Sequence, residues 1–308
     1  MTHRVVVGGE CLVDVIRESS GAVREVPGGG PFNTARAIAR LGGSVSFLGC
    51  ISRDRLGERL RDELVADGVD LSIAVRTDLP TTIAHATLDP GGAAAYRFEI
   101  EGTAAPALTV SDALAALGTR PVAVHVGTLG LVFEPSGSSL EGLVAALPPE
   151  TLVMLDPNAR PSAIGDLTAW RARIHRLSQR ADVIRASVED LEVLDDTSGP
   201  LDVARTLADD GALVLLTDGG RPVHLVSRAF PIARLPLPAS PIVDTVGAGD
   251  SFGGAFLAWW LDQGHDRAAL QDAPTAAAAA RVALAAAAVT CSRVGADPPT
   301  REELSEVW

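Results

Sequence analysis

The sequence predicts an α/β fold in which a mainly parallel sheet is flanked by helices on both faces. Short strand-like runs alternate with helical stretches through most of the chain, and each strand-like run is almost entirely apolar. Such continuous apolar strands are typical of a parallel sheet that is covered on both faces. With 308 residues, 47% of them hydrophobic, the chain can bury one large core. We therefore predict a single domain over residues 1–308.

The core elements follow in order along the chain. The predicted strands are residues 4–7, 44–48, 122–126, 152–155, 183–185 and 213–216. The predicted helices are residues 35–41, 56–65, 140–147, 167–177, 252–261 and the alanine-rich 276–289.

Two stretches depart from this alternation and predict a small β lid. Residues 12–26 and 82–100 each contain two extended segments around a turn, and Asp89-Pro-Gly-Gly92 is a hairpin signal. We place the lid strands within 11–27 and 82–100. Exposed strand edges there would suit a homodimer, although a monomer is equally allowed.

Net charge and lysine content exclude several classes of protein. The formal charge is −13, whereas nucleic-acid binders and membrane-surface proteins need a basic field. All 26 basic residues are arginines. The lack of lysine excludes Schiff-base enzymes, Walker-type phosphate loops and the lysine–glutamate pair of protein kinases. An anionic ligand must be bound by arginines, backbone N–H groups or a metal.

Targeting and redox features indicate a cytoplasmic protein. The chain starts with a strand-length apolar run that is too short for a signal sequence, and no unbroken apolar run reaches the roughly 18–20 residues of a membrane span. Cys11, Cys50 and Cys291 are odd in number and far apart, so we expect free thiols. We expect no membrane and no nucleic-acid partner.

Residues Gly247-Ala-Gly-Asp250 place an acid at the mouth of a candidate anion site. Glycines at a strand-to-helix turn let backbone N–H groups converge on an anion at the helix N-terminus. A carboxylate cannot bind phosphate directly there, but it can accept the proton of an attacking hydroxyl. We therefore predict that Asp250 is a catalytic base. Ordinary turn chemistry is the alternative for the glycines alone.

The same segment also fits a serine-hydrolase motif. Gly249-Asp-Ser251-Phe-Gly253 matches Gly-x-Ser-x-Gly, which requires an acid and then a histidine downstream. The histidine that follows is His265, at the predicted end of the same helix, and it cannot reach back to Ser251. The spacing therefore does not favour a serine hydrolase.

Asp14 and Asn33 predict a site for a neutral polyol. Asp14 lies in an otherwise apolar strand, and a buried charge is costly without partners. Asn33 ends the glycine cluster Pro27–Asn33, which is either a second ligand loop or a tight turn into a helix. Arg160, in Asp156-Pro-Asn-Ala-Arg160 at a carboxyl strand edge, either binds phosphate or is a solvated loop residue.

These residues, in this order, resemble the ribokinase/phosphofructokinase-B family of sugar kinases. The similarity runs from Gly8–Asp14 to Val289–Ala296, and Asp244–Asp250 is its most specific part. It implies a ribokinase-like three-layer core with a β lid, together with ATP, Mg²⁺ and a monovalent cation such as K⁺. It also implies a base, Asp250; an anion hole of Gly247, Ala248 and Gly249; a sugar site of Asp14, Gly29, Gly30, Asn33 and Arg160; nucleotide contacts from Ser187, Thr217, Gly219 and Gly249; and Asp190 on Mg²⁺ through water or phosphate.

Within this family the motifs are most similar to those of fructokinases. The expected reaction transfers the ATP γ-phosphoryl group to a hydroxymethyl group of a fructose-like ketose. Four positions depart from the pattern: Ile100 replaces a substrate-facing arginine, Ser187-Val-Glu-Asp190 replaces Asn-x-x-Glu, Pro222 replaces a glycine and Leu284 replaces an asparagine near adenine. The alternatives are a ribokinase, a 2-keto-3-deoxygluconate kinase or a non-catalytic sugar- or nucleotide-binding protein. A dinucleotide-dependent oxidoreductase ranks last, because Gly8-Gly9 lacks the Gly-x-Gly-x-x-Gly spacing.

Overall fold

The predicted α/β fold is confirmed. A computed structural model describes residues 4–17, 23–88 and 94–308. Its main sheet has eight strands in the order β14-β13-β12-β11-β10-β9-β1-β4. Six neighbouring strands of this sheet, in the order β12-β11-β10-β9-β1-β4, are parallel. Strands β13 and β14 continue the sheet beyond β12 as antiparallel strands.

The described part of the chain contains fourteen strands and nine α-helices. The strands are β1 (Arg4–Gly8), β2 (Leu12–Arg17), β3 (Val23–Gly28), β4 (Ser44–Leu48), β5 (Cys50–Ser52), β6 (Val75–Thr77), β7 (Ile83–Leu88), β8 (Ala94–Glu99), β9 (Ala123–Gly127), β10 (Leu152–Asp156), β11 (Val183–Ser187), β12 (Leu213–Asp218), β13 (Arg221–Ser227) and β14 (Phe230–Leu235). The helices are α1 (Gly30–Arg40), α2 (Arg55–Ala66), α3 (Val110–Ala115), α4 (Ser136–Ala146), α5 (Leu167–Ser178), α6 (Val188–Leu194), α7 (Pro200–Asp209), α8 (Ala248–Asp262) and α9 (Ala273–Cys291).

Two apolar cores cover the opposite faces of the main sheet. Within one strand, Val5 and Val7 point to a core that includes α1, α2, α8 and α9, and Val6 points to a core formed with α3 to α7. This alternation explains why the central strands are apolar at nearly every position: both faces are buried.

The predicted lid is a separate four-stranded sheet in the order β3-β2-β7-β8. Strand β2 pairs in parallel with β7, and each has an antiparallel partner, β3 and β8. The predicted turns, at 19–21 and at Asp89–Gly92, lie outside the described residues.

Strands β13 and β14 were not predicted from the sequence. They form an antiparallel edge in which β13 begins with two exposed residues and β14 has a single buried side chain, and Pro222 further weakens the strand signal. Helix α1 also begins earlier than predicted, at Gly30, so that the glycine cluster includes the first turn of the helix.

Helix α9 is long and apolar enough to cross a membrane by length and composition, with a mean hydropathy of 1.4. The sequence prediction concerned unbroken apolar runs, and α9 is not such a run because Arg281 interrupts it. Half of the most apolar 18-residue stretch of α9 is buried, and the helix packs on α8 and β14. Such burial and packing are typical of a core helix, so the length and composition of α9 are weak evidence for a membrane span.

Candidate active site

The predicted site residues gather at the carboxyl edge of the main sheet. The segments that follow β1, β9, β10, β11 and β12 all emerge there, next to the first turns of α1 and α8. Open α/β sheets bind their ligands at this edge. Two cavities lie there, each of about 380 Å³, and they share the lining residues Arg185, Ser187, Thr245 and Gly249.

The first cavity lies under the lid and contains the predicted acceptor residues. Its lining includes Asp14, Gly29, Gly30, Asn33, Arg160, Gly247, Gly249 and Asp250. Glu10, Thr128, Asn158 and the apolar side chains Leu12, Phe98 and Leu129 complete the wall. The cavity therefore combines hydrogen-bonding groups with one apolar side, as sites for small polar molecules commonly do.

Asp250 and Asn33 meet because helices α1 and α8 pack closely. A side chain at Gly254 would place its Cβ 2.8 Å from the Cβ of Ala37, so glycine is needed at this crossing. The approach lets Asn33 Nδ2 donate to Asp250 Oδ2 at 2.8 Å. Asn33 thereby orients the carboxylate, while its own Oδ1 is buried without a partner among the described residues.

Burial raises the pKa of Asp250 above the ordinary value, while the Asn33 hydrogen bond and the charges of Arg185 and Arg160 work in the opposite direction. A carboxylate with a raised pKa is a stronger proton acceptor than a solvated one. Asp250 is 8% exposed and lines the first cavity, so that a bound hydroxyl could reach it.

Asp14 projects into the acceptor cavity from the lid strand β2. Its carboxylate makes no hydrogen bond to the described residues, and burial raises its pKa to about 6 despite the charge of Arg160. Gly28 allows this placement, because a Cβ there would lie 2.5 Å from Asp14 Oδ2. An unpaired carboxylate in a cavity is a ready acceptor for ligand hydroxyl groups.

Glu10 was not predicted as a site residue, yet it ties two walls of this cavity together. Its Oε1 accepts from the N–H of Gly30 at 3.0 Å, and its Oε2 accepts from the N–H of Gly130 at 2.7 Å. The side chain is fully buried. Burial, together with the nearby Asp250 charge, raises the pKa of Glu10 to about 8, although its backbone hydrogen bonds work against this.

We expect Glu10 to make the unliganded protein less stable as the pH rises through neutrality. A folded-state pKa above the unfolded value means that the native state binds more protons, so stability is lost as the pH rises toward about 8. Between pH 6.5 and pH 8 the melting temperature should fall by roughly 2–4 °C.

The control for this prediction is Glu10→Gln, which cannot ionise and should show a shallower slope. Part of the slope remains in this variant, because burial also raises the pKa of Asp156 to about 7. The range stays above pH 6.5 because His125, whose pKa burial lowers to about 4, acts in the opposite direction at lower pH. An equal slope in both proteins, measured by calorimetry, would contradict the assignment.

The second cavity contains the predicted nucleotide residues. Ser187, Thr217, Gly219, Ala248 and Gly249 line it. Apolar groups, including Leu237, Ile242, Phe252 and Leu284, form most of the remaining wall. A slot with an apolar interior that ends at a helix N-terminus suits a planar base joined to phosphates.

The first turn of α8 lies where the two cavities meet. Gly247 takes φ +75°, a conformation that favours glycine, and a Cβ there would collide with Ala296. The first N–H groups of a helix have no intrahelical acceptor and form an anion site, here between the acceptor cavity and the nucleotide cavity. This arrangement would place a terminal phosphoryl group beside Asp250.

A family model described as pfkB family carbohydrate kinase matches residues 2–303. The chain belongs to the pfkB family of carbohydrate kinases. It is 36% identical to a fructokinase of Rhizobium leguminosarum bv. trifolii over 81% of this chain and 77% of the relative, and 31% identical to fructokinase-1 of Oryza sativa subsp. japonica over 97% and 96%. Among solved structures, a Xylella fastidiosa fructokinase with bound ATP superposes with a TM-score of 0.90 at 27% identity, covering 100% of this chain and 98% of that one.

A second similar structure is a fructokinase double mutant from Vibrio cholerae O395 in a fructose-, ADP- and potassium-bound form. Its TM-score is 0.86 at 25% identity, with 99% of this chain and 98% of that chain covered. Family membership makes this protein a phosphotransferase that acts on a sugar hydroxyl.

Asp190 is the one predicted site residue that lines neither cavity. Its Oδ1 accepts from the N–H of Ala159 at 2.7 Å, and its Oδ2 accepts from the N–H of Ser187 at 2.8 Å. It forms a capping box with Ser187 at the start of α6 and holds the loop after β10 in place. Its predicted role on Mg²⁺ stays a prediction.

No cluster of three or more histidine, cysteine or carboxylate side chains within the described ranges could hold a metal ion.

The surroundings of Ser251 do not fit the serine-hydrolase motif. Ser251 is buried and accepts a hydrogen bond from Thr290 Oγ1 at 2.8 Å, whereas His265 packs on Trp259 and Trp260 beyond the other end of α8. The hydrolase alternative therefore has no geometric basis.

His125 lies in the core as expected, and the three cysteines are free. Ile100 packs against the apolar cluster beside the lid and does not line the acceptor cavity.

Proposed function

We propose that this protein transfers the γ-phosphoryl group of ATP to a hydroxymethyl group of a fructose-like ketose. The observation that carries the proposal is the position of Asp250 at the junction of two cavities, one polar and hydroxyl-binding, the other ending at a helix N-terminus. Fructokinases are the similar proteins at 31–36% identity, which supports fructose as the first sugar to test.

In the proposed reaction, Asp250 accepts the proton of the sugar hydroxyl while the hydroxyl oxygen forms a bond to the γ-phosphorus of ATP. The bond from that phosphorus to the bridging oxygen breaks, and ADP leaves with the electron pair. Asn33 holds the carboxylate in place. The backbone N–H groups of the anion hole, Gly247, Ala248 and Gly249, would stabilise the charge of the phosphoryl group in transit. Mg²⁺, when bound, would neutralise phosphate charge.

Asp14, Asn33 and Arg160 are proposed to bind the sugar. Asp14 and the free Oδ1 of Asn33 accept from hydroxyl groups, while Arg160 donates. The apolar wall of Leu12, Phe98 and Leu129 would contact the carbon face of the ring. This division of polar and apolar lining favours a compact neutral sugar.

Three finer points are also part of the proposal. A monovalent cation such as K⁺ is included because the Vibrio cholerae structure is of a potassium-bound form. Dimerisation would use the lid edges β3 and β8, which light scattering would detect. A cytoplasmic location remains the expectation.

The experiment that tests the substrate is a panel of ketoses, pentoses, sugar acids and nucleosides with MgATP. We expect fructose to give the highest kcat/KM in an assay of ADP release. A higher kcat/KM with ribose or with 2-keto-3-deoxygluconate would show that this sugar, and not fructose, is the preferred substrate. Thermal stabilisation by sugars without any ADP release would instead indicate a non-catalytic binding protein.

A further inference from the structure

Arg185 on β11 is the basic side chain that lines both cavities. Within the described residues, Arg160 and Arg185 are the basic groups on the cavity walls, and Arg160 lines the acceptor side alone. The guanidinium lies face-on against the first turn of α8, because a Cβ at Gly249 would be 2.7 Å from Cζ, Nη1 and Nη2 together. Arg185 therefore lies where the phosphoryl group would cross.

The guanidinium of Arg185 does not use all of its donors within the protein. Its Nη1 forms an ion pair with Asp156 at 3.3 Å, and its Nη2 donates to Thr217 Oγ1 at 3.1 Å. Nε is buried and has no partner in the described part of the protein. An arginine has five N–H donors, so at least two remain unused besides these contacts. The side chain is only 11% exposed, which makes unused donors costly unless a ligand completes them.

The surrounding charges also favour an anion at this point. A cation beside a helix N-terminus faces the positive end of the helix dipole, an arrangement that an anion in contact with both would relieve. Burial opposes the charged form of Arg185, but Asp156, Asp190 and Asp250 outweigh it and raise its pKa. The charge therefore persists, and Asp156 holds its direction. No lysine exists in the chain to take this position.

We propose that Arg185 is a catalytic residue that contacts the phosphoryl group during transfer and stabilises its developing charge. This rests on the proposed kinase function and assigns a second, cationic component to the anion site of backbone N–H groups. Asp156 and Thr217 act as positioning residues that hold the guanidinium plane.

Steady-state kinetics of two substitutions test the assignment. We expect Arg185→Met to lower kcat by roughly 10²–10³-fold, the usual effect of removing one donor to a developing charge. Arg185→Lys should lower kcat by about 10-fold, because it restores charge without the planar fork. The KM for sugar and the Kd for ATP should stay within about threefold of the wild-type values.

The matched control is Arg180→Met, at the opposite edge of the sheet. Arg180 also pairs with a buried aspartate, Asp182, and donates to backbone carbonyls, so its loss should lower the melting temperature but leave kcat unchanged. If Arg185→Met does not fold, the Lys variant, which keeps a partner for Asp156, decides.

Three results would overturn the assignment: kcat within threefold of wild type in the Lys and Met variants, a rise in the Kd for ATP that accounts for the whole loss, or an equal kcat loss in the Arg180 control. A wild-type protein that does not phosphorylate any sugar would contradict the proposed function instead.

Discussion

Replacement of Asp250 by asparagine is expected to lower kcat by roughly 10²–10⁴-fold, the usual contribution of a general base. Asparagine has nearly the same shape and can keep the contact with Asn33, but its amide cannot accept the proton of the sugar hydroxyl. Because Asp250 is not needed to hold the nucleotide, the Kd for ADP should remain within about threefold. Sugar-dependent ADP release and calorimetric ADP titration provide the two readings.

The matched control for this prediction is Asp182→Asn. Asp182 is as deeply buried as Asp250, but it lies at the amino end of β11, where it accepts from the N–H of Val153 and pairs with Arg267. Its substitution should reduce stability and leave kcat near the wild-type value. Turnover of Asp250→Asn within tenfold of wild type would mean that another group accepts the proton.

Removal of the Asp14 carboxylate is expected to lower kcat/KM for the sugar by about 10²-fold and to leave the KM for ATP unchanged. A hydrogen bond to a charged group contributes about 1.5–3 kcal/mol, so two lost hydroxyl contacts account for this effect. Asp14→Ala measures the whole contribution, and Asp14→Asn, which keeps one acceptor oxygen, should fall between.

The raised pKa of Asp14 adds a pH signature to that prediction. Because burial moves the pKa to about 6, the carboxylate becomes protonated and loses part of its acceptor capacity as the pH falls through this value. The wild-type KM for sugar should therefore rise below about pH 6, and that rise should be absent in Asp14→Ala. A KM for ATP that changes in parallel would show that Asp14 acts on the fold and not on the sugar.

The sequence was sufficient for the fold because the signals are local and repeated. Apolar strands followed by helices predicted the parallel sheet, and the turn signal in the sequence Asp89-Pro-Gly-Gly92 predicted the lid hairpin. The edge strands β13 and β14 were not predicted because β14 has a single buried side chain and β13 begins with exposed Arg221 and Pro222. Their strand character depends on pairing with β12, which no local pattern reveals.

Site residues were predictable where a single short segment of sequence contains the informative pattern. Asp250 follows a glycine turn, and Asp14 is a charge in an apolar strand. Glu10 and Arg185 were missed because their roles depend on contacts with residues far away in the chain, Gly130 and Gly249. Thr128, which takes φ +57° beside Gly30, carries no local signal of that conformation.

The central claim is that Asp250 directs the γ-phosphoryl group to a sugar hydroxyl, and phosphorus NMR of the products tests it most directly. With the wild-type protein, MgATP and fructose, we predict one new phosphomonoester signal that grows in step with ADP and is absent with Asp250→Asn. Release of inorganic phosphate in step with ADP, or a new ester formed equally by the asparagine variant, would contradict it.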